Sequence, residues 1–220
     1  MVLALAVSII GHEIMHGLVA YRYGDTTAKN AGRLSINPIV HVDPVGTILV
    51  PAILYITNAG FLFGWAKPVP VNIQVVVRNG GELGAIAVSL AGVTYNFALA
   101  FLSIFALKFI GEPHGMFELF TFLFFSQSVL INVVLGVFNL WPIPPLDGAN
   151  ALLHFARWIG IKPVVKLYEY LFPYGMIILI VILMTPASTI LFIPAFHIFG
   201  LLSVITGINF LALLNTIERI

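Results

Sequence analysis

The chain contains no cysteine among its 220 residues and very little charge. Without cysteine, a disulfide framework and thiol catalysis are both excluded, and nothing indicates the redox compartment. Charged side chains make up 9% of the residues, compared with about 25% in an average soluble domain. The formal net charge is +1, and the ten lysines and arginines are scattered rather than clustered, which argues against a nucleic-acid partner.

Apolar side chains dominate instead. Hydrophobic residues make up 60% of the chain, and the mean hydropathy is +1.05. So few polar side chains cannot cover a globule in water, so lipid must contact much of the surface. We therefore predict an integral-membrane protein. The first apolar stretch, residues 2–10, has neither a basic leader nor a small-residue cleavage site, and we expect it not to be a removable signal peptide.

Apolar runs of about 20 residues predict five transmembrane helices within a single domain. They cover approximately residues 2–23, 83–110, 119–141, 164–184 and 190–214. A sixth run, residues 45–63, is interrupted by Pro51 and Asn58, and we interpret it as a re-entrant segment. Residues 64–82 alternate polar and β-branched side chains, a pattern typical of short strands. The predicted fold class is an all-α polytopic membrane protein with a re-entrant apolar segment and short membrane-associated β-strands.

The basic residues indicate the orientation of these helices. If residues 45–63 re-enter, every lysine and arginine except Lys108 lies on the same side of the membrane. By the positive-inside rule, that side is cytoplasmic. A full crossing by residues 45–63 would move Lys67 and Arg78 to the other side, so the charge distribution favours re-entry.

Residues 12–16 read HEIMH, which fits the pattern H-E-x-x-H. Positions i and i+4 of a helix share a face, so the imidazoles of His12 and His16 can bind one zinc ion, with Glu13 placed to accept a proton from water. Ionisable groups are costly inside a membrane helix, and three of them within five residues need a strong partner such as a metal. The alternative is a polar group paired for helix packing or for proton relay.

A catalytic zinc site needs a third protein ligand and an open position. Asp147 is the best candidate because it follows the proline-rich residues 142–145, which stop a helix, and precedes Gly148, which permits an unusual turn. A broken helix at membrane depth is tolerated when it lines a cavity. His12 lies about 16 Å from the predicted end of its helix, so Asp147 must lie below the membrane surface to reach it. The alternative is that Asp147 only caps the helix that begins at Ala149.

These motifs resemble those of the site-2 protease family, peptidase family M50. The resemblance covers about residues 10–157 and rests on five motifs in order. They are HEIMHG (residues 12–17), GRLSINPIVHVDP (32–44), GWAKPVPVN (64–72), AGVTYN (91–96) and FNLWPIPPLDG (138–148). One departure is Val93, where the family usually has proline.

The resemblance implies a zinc metalloendopeptidase that cleaves transmembrane substrates. It implies one Zn²⁺ per chain, bound by His12, His16 and Asp147, with Glu13 as the general base. It also implies a multi-pass protein of the cell membrane without a PDZ domain and with its active site near the cytoplasmic side. We assign residues 1–158 to the catalytic core and residues 163–215 to accessory helices within one domain, residues 1–220. The implied partners are a transmembrane protein or peptide substrate and the lipid bilayer.

Two asparagines in apolar helices are further candidates for substrate binding. Asn96 could donate to a substrate carbonyl or to its developing oxyanion, and a helix-to-helix hydrogen bond explains it equally well. Asn139 could hold the broken end of its helix or a substrate strand. The predicted strands between Trp65 and Val77 could hold an unwound substrate by strand addition. His41 is expected to order a loop.

Two other functions would use the same residues. A metal or proton transporter would need further acidic or histidine side chains along a path across the membrane, but the last two predicted helices hold almost none. A catalytically inactive family member would keep the fold and lose the chemistry. The intact Glu13 argues against this second alternative.

Overall fold

The structure is a computed structural model, and it describes residues 1–57, 64–111 and 113–217, with side chains as far as residue 214. Ten α-helices follow one another in the described ranges. They are α1 (Val2–Arg22), α2 (Thr27–Asn30), α3 (Val50–Ile56), α4 (Ile73–Ile110), α5 (Met116–Leu140), α6 (Asp147–Ile159), α7 (Lys162–Leu171), α8 (Gly175–Leu183), α9 (Ser188–Thr206) and α10 (Phe210–Ile217). Single turns of 3₁₀-helix occur at Pro38–His41 and Phe172–Tyr174, and a π-helical turn at Pro44–Leu49 leads into α3.

Five helical segments of the described residues are long and apolar enough to cross a membrane: α1, α4, α5, α9 and the continuous pair α7 and α8. Their positions match the five predicted spans. Much of their surface is apolar and exposed, as a surface in contact with lipid must be, with Phe101, Phe109 and Val204 as examples. The chain is a multi-pass membrane protein.

The prediction of β-strands in residues 64–82 is wrong. No strand occurs in any of the ranges that the structure describes, and from Ile73 onward this stretch is α-helix. The Asn72 side chain accepts a hydrogen bond from the Val75 N–H and so caps the first turn of α4. Val76 is fully buried against Ala20 of α1, so β-branched side chains here pack between two helices. Tertiary packing and the cap therefore outweigh the local alternation.

Helices α1 and α4 run antiparallel. His12 of α1 lies beside Asn96, and the end of α1 at Tyr23 receives a hydrogen bond from Asn79 near the start of α4. The intervening chain thus leaves and returns to the bundle at the same end, as a re-entrant segment requires. Within that segment, the apolar helical residues Pro44–Ile56 cover only about 20 Å, too short to cross a bilayer of about 30 Å. Residues 58–63 of the predicted segment, and Arg219 of the charge count, lie outside the described residues.

Helix α4 is interrupted near its start by Gly81, whose φ of 63° lies in the left-handed region that glycine adopts without a steric penalty. The following part of α4 packs along α5, and α9 packs against α5. The main apolar core lies in this layer, with Val129, Val133 and Phe199 almost completely buried. Helix α1 packs against both α4 and α5. This three-helix contact contains the polar residues described next.

Candidate metal centre

Small residues bring α1 close to its neighbours. Ala4, Ser8 and His12 recur every four residues and are buried on one face of α1. On the facing helix, Gly92 leaves the space that the two imidazoles occupy, because a Cβ there would lie 2.5 Å from both His12 Cε1 and His16 Nε2. Glycine at position 92 is therefore a steric requirement of the site.

Asp147 reaches the same point from the break between α5 and α6. The prolines in residues 142–145 end α5, and Gly148 packs directly on its last carbonyls, where a Cβ would lie 2.1 Å from the Leu140 oxygen. The Tyr168 hydroxyl donates to the Pro142 carbonyl at 2.7 Å and fixes the break from outside. Asp147 is the first residue of α6, and no side chain caps that helix, so the carboxylate is available to the site.

The three side chains form a compact triangle. His12 Nε2 lies 3.2 Å from His16 Nε2 and 3.2 Å from Asp147 Oδ2, and His16 Nε2 lies 3.3 Å from the same oxygen. A tetrahedral zinc ion has nitrogen and oxygen ligands at about 2.0–2.2 Å, which places those ligand atoms about 3.3–3.6 Å apart. The triangle therefore has the size of one face of a zinc tetrahedron. These residues are a possible metal site.

The orientation of the imidazoles also fits a metal. His12 Nδ1 lies 2.6 Å from the side-chain oxygen of Asn96, and His16 Nδ1 lies 2.7 Å from the backbone oxygen of Val88. Since a carbonyl oxygen only accepts, each neutral imidazole donates from Nδ1 and directs the lone pair of Nε2 into the triangle. The buried Asp147 Oδ2 has no hydrogen-bond partner. Lone pairs of His12 Nε2, His16 Nε2 and Asp147 Oδ2 therefore meet with no hydrogen-bond donor between them. A cation at this point would stabilise the arrangement.

Glu13 follows His12 on α1 and is partly buried. Its Oε2 accepts a hydrogen bond of 2.9 Å from the backbone N–H of Val69, in the irregular residues 64–72. Val69 also packs close to Gly17, where a Cβ would lie 2.9 Å from the valine side chain. The carboxylate is therefore oriented by a segment that passes across the face of α1.

The segment of residues 64–72 is anchored by Asp25, which follows α1 and is 3% exposed. Its carboxylate accepts hydrogen bonds from the hydroxyl and the N–H of Thr27 and from the N–H of Asn72, the last at 2.6 Å. Burial by itself would raise the pKa of Asp25, but these three donors stabilise the charged form and hold the pKa below its ordinary value.

The two asparagines predicted as substrate-binding candidates differ in whether they contact the triangle. Asn96 is fully buried, and its amide group is occupied by His12, Asn132 and the Ser8 carbonyl. Asn139 is partly buried near the end of α5 and donates back to the Leu135 carbonyl of its own helix. It does not join the triangle.

Three residues around the centre carry no role in the sequence interpretation: Gly92, Asn132 and Ser8. Asn132 lies in an apolar run of α5, so the cost of an amide in a membrane helix was a signal that could have found it. Ser8 precedes His12 by one helical turn, which places it on the same face. Gly92 gives no such signal, because a glycine in a helix has many explanations.

Apolar helices of spanning length around a His–His–Asp triangle define a multi-pass membrane protein with a possible metal site. Comparison with known proteins agrees. The family model for peptidase family M50 matches residues 110–183, which include α5, the break and Asp147.

Several curated relatives align over longer stretches. YwhC of Bacillus subtilis, provisionally named a zinc metalloprotease, is 39% identical over 199 residues, which are 88% of this chain and 84% of YwhC. Rip2 of Mycolicibacterium smegmatis, named in the same way, is 30% identical over 82% of this chain and 64% of its own length. MJ0611 of Methanocaldococcus jannaschii is 32% identical over 68% of this chain and 67% of its own length. No solved structure matches. The chain belongs to peptidase family M50, and it is a metalloprotease of that family.

Proposed function

We propose that this chain is an intramembrane zinc metalloprotease that hydrolyses peptide bonds of transmembrane substrates. The observation that carries the proposal is the triangle of His12, His16 and Asp147, 3.2–3.3 Å on a side, with Glu13 next to it on α1. His12 lies about 16 Å along α1 from the end of that helix, so the site lies below the membrane surface. A peptide bond must therefore reach the site from within the membrane.

Each residue of the site has a defined task in this proposal. His12, His16 and Asp147 would hold one zinc ion per chain and leave a fourth position open. When bound, zinc supplies Lewis-acid polarisation of the scissile carbonyl and of the attacking water. Glu13 would accept a proton from water at the site through its carboxylate and donate it to the leaving amine. The buried imidazoles keep their Nδ1–H groups on carbonyl oxygens, so both Nε2 atoms stay directed at the site throughout.

The positive-inside distribution supports an orientation with the active site near the cytoplasmic side of the cell membrane. A transmembrane substrate must unwind locally, since the carbonyls of a helix are shielded by their own hydrogen bonds. A metal or proton transporter is not favoured, because α8 contains no acidic or histidine side chain and α9 contains only His197, too few to extend a path from the site.

The variant Glu13→Gln tests the general base. Glutamine keeps the size of the side chain and an oxygen that can accept from Val69, so folding and zinc content should stay at the wild-type level. Loss of the carboxylate should lower the cleavage rate of a transmembrane substrate by about 10²–10⁴-fold. Cleavage is measured in membranes together with pull-down of uncut substrate.

Glu169→Gln is the matched control, because Glu169 forms only an exposed ion pair with Arg157. It should cleave at the wild-type rate. A Glu13→Gln variant that cleaves as fast as this control would show that Glu13 is not the base.

The metal itself is tested by zinc analysis of the purified chain. We expect one zinc ion per chain, lost in His16→Ala and strongly reduced in Asp147→Ala, because each variant removes one corner of the triangle. His114→Ala is the control, since it removes a histidine far along the chain from the site. Full zinc content in Asp147→Ala would assign the third ligand to another residue.

A further inference from the structure

A continuous set of buried polar side chains leads away from His12. Asn96, Asn132 and Ser8 are each 0% exposed and belong to α4, α5 and α1 respectively. Asn96 Nδ2 donates to Asn132 Oδ1 at 2.7 Å, and Asn132 Nδ2 donates to Ser8 Oγ at 2.7 Å. Ser8 in turn donates to the Ala4 carbonyl at 2.7 Å. The set is fully hydrogen-bonded and connects the three helices around the metal centre.

The direction of every hydrogen bond in this set is determined by backbone carbonyls. Asn132 Nδ2 lies 2.8 Å from the Ser128 carbonyl, and since that oxygen only accepts, the amide of Asn132 has one orientation. Its oxygen must then face Asn96, which donates to it and to the Ser8 carbonyl at 3.3 Å. The remaining oxygen of Asn96 faces His12 Nδ1.

This arrangement determines which ring nitrogen of neutral His12 carries the proton. Its Nδ1 carries the proton that the Asn96 oxygen accepts, so in the neutral imidazole Nε2 presents a lone pair to His16 and Asp147. His16 obtains the same constraint from a backbone carbonyl, which no substitution can remove. The two imidazoles are thus oriented by different means, and only that of His12 depends on side chains.

We propose that Asn96, Asn132 and Ser8 are positioning residues that fix His12 as a metal ligand, with Asn132 and Ser8 acting through Asn96. Partners of this kind typically change metal affinity by about 10–100-fold. The inference rests on the proposed zinc site and assigns to Asn96 a contact with His12 in place of a contact with substrate.

Zinc affinity of the purified full-length chain, measured by competition with a chelator, tests the proposal. Asn96→Leu and Asn132→Leu keep the approximate side-chain size and remove the hydrogen bonds, and both should bind zinc about 10–100-fold more weakly than wild type. Ser8→Ala should also weaken zinc binding. Ser126→Ala is its matched control, because Ser126 is a buried helical serine of α5 whose hydroxyl has no hydrogen-bond partner. The control should bind zinc like wild type.

Asn96→Asp separates positioning from helix packing. It keeps the oxygen that accepts from His12 and removes the donor to Asn132 and Ser8, so it should be less stable to heat and yet retain more zinc than Asn96→Leu. If Asn96 only holds the helices together, we expect the reverse. Asn96→Asp should then lose at least as much zinc as Asn96→Leu.

Three results would contradict either the positioning proposal or the proposed function on which it rests. Wild-type zinc affinity in folded Asn132→Leu and Asn96→Leu would overturn the proposal. If the leucine variants fail to fold, equal zinc affinity in Ser8→Ala and Ser126→Ala would overturn it. A wild-type chain that binds no zinc would instead overturn the proposed function, so the two failures are distinguishable.

Discussion

Gly92 lies where α4 meets the two histidines of α1. A Cβ at this position would lie 2.5 Å from His12 Cε1 and 2.6 Å from His12 Nε2, well inside van der Waals contact. Neither imidazole can retreat easily, because each is held through Nδ1 by a hydrogen bond. The position thus couples the packing of two helices to the geometry of the metal centre.

Gly92→Ala should therefore lose zinc and cleavage activity together. Alanine raises intrinsic helix stability by about 1 kcal/mol relative to glycine, so weaker helix formation cannot explain such a loss. The expected cause is displacement of His12 and His16 from the triangle. Zinc content of the purified variant is the measurement.

The control for this substitution is Gly200→Ala. Gly200 lies within α9, and a Cβ there would meet nothing within 4 Å. It should keep full zinc content and activity. Equal zinc content in Gly92→Ala and Gly200→Ala would mean that the bundle adjusts and that the close approach is not required.

At the scale of elements, the irregular residues 64–72 connect the loop after α1 to the face of α1 that carries Glu13. Asp25 holds the end of this segment at Asn72, and Arg33 donates to the Lys67 carbonyl at 2.6 Å near its middle. Between these anchors, Val69 donates to Glu13. The position of the carboxylate on α1 thus depends on a segment that has no regular structure of its own.

The lowered pKa of Asp25 gives this anchor a pH dependence. A carboxyl with a lowered pKa stabilises the fold above its ordinary pKa of 3.8, and the contribution is lost as the pH falls through the lower value of the folded state. Asp25→Asn should therefore lower thermal stability at pH 7 by about 1–3 kcal/mol, the usual cost of hydrogen bonds to a charged group. The difference from wild type should narrow below pH 3.8.

Thermal unfolding of both chains at pH 7 and pH 3 measures this effect. Asp43→Asn is the control, because Asp43 accepts from the N–H groups of Val45 and Gly46 at a helix start, where asparagine serves equally well. A constant difference between Asp25→Asn and wild type at the two pH values would contradict an ionised Asp25 anchor.

At the scale of the whole molecule, the antiparallel pairing of α1 and α4 constrains the topology. The chain leaves the bundle at Tyr23 and returns to it near Asn79. The Asn79 side chain donates a hydrogen bond to the Tyr23 carbonyl, so both points lie at the same end of the bundle. An odd number of crossings in between would separate these two residues by the thickness of the membrane. We therefore expect the residues on either side of residues 45–63 to lie on the same side of the membrane.

Cysteine labelling can test this topology without a background, since the chain has no cysteine. Lys29→Cys, Arg78→Cys and Lys162→Cys should react from the cytoplasmic side, and Pro113→Cys should react from the opposite side. Labelling of Lys29→Cys and Arg78→Cys from opposite sides would show that residues 45–63 cross the membrane.

The sequence predicted the membrane class, the five apolar helices and the residues that form the triangle. Each of these depends on local or compositional information. Helix length follows from apolar runs, and the i, i+4 spacing of His12 and His16 is a property of one helix. Asp147 was predictable because an acidic residue beside a proline-rich break is costly in a membrane unless it has a partner.

Only the tertiary structure decided what surrounds the triangle. Whether residues 73–82 form strand or helix depended on the burial of Val76 against α1, which local alternation does not encode. The role of Asn96 depended on which helix faces it: its oxygen is 2.6 Å from His12 Nδ1 and its amide nitrogen 2.7 Å from Asn132, contacts that join residues 84 and 36 positions apart. Contacts of that separation arise from helix packing, so a single sequence cannot specify them.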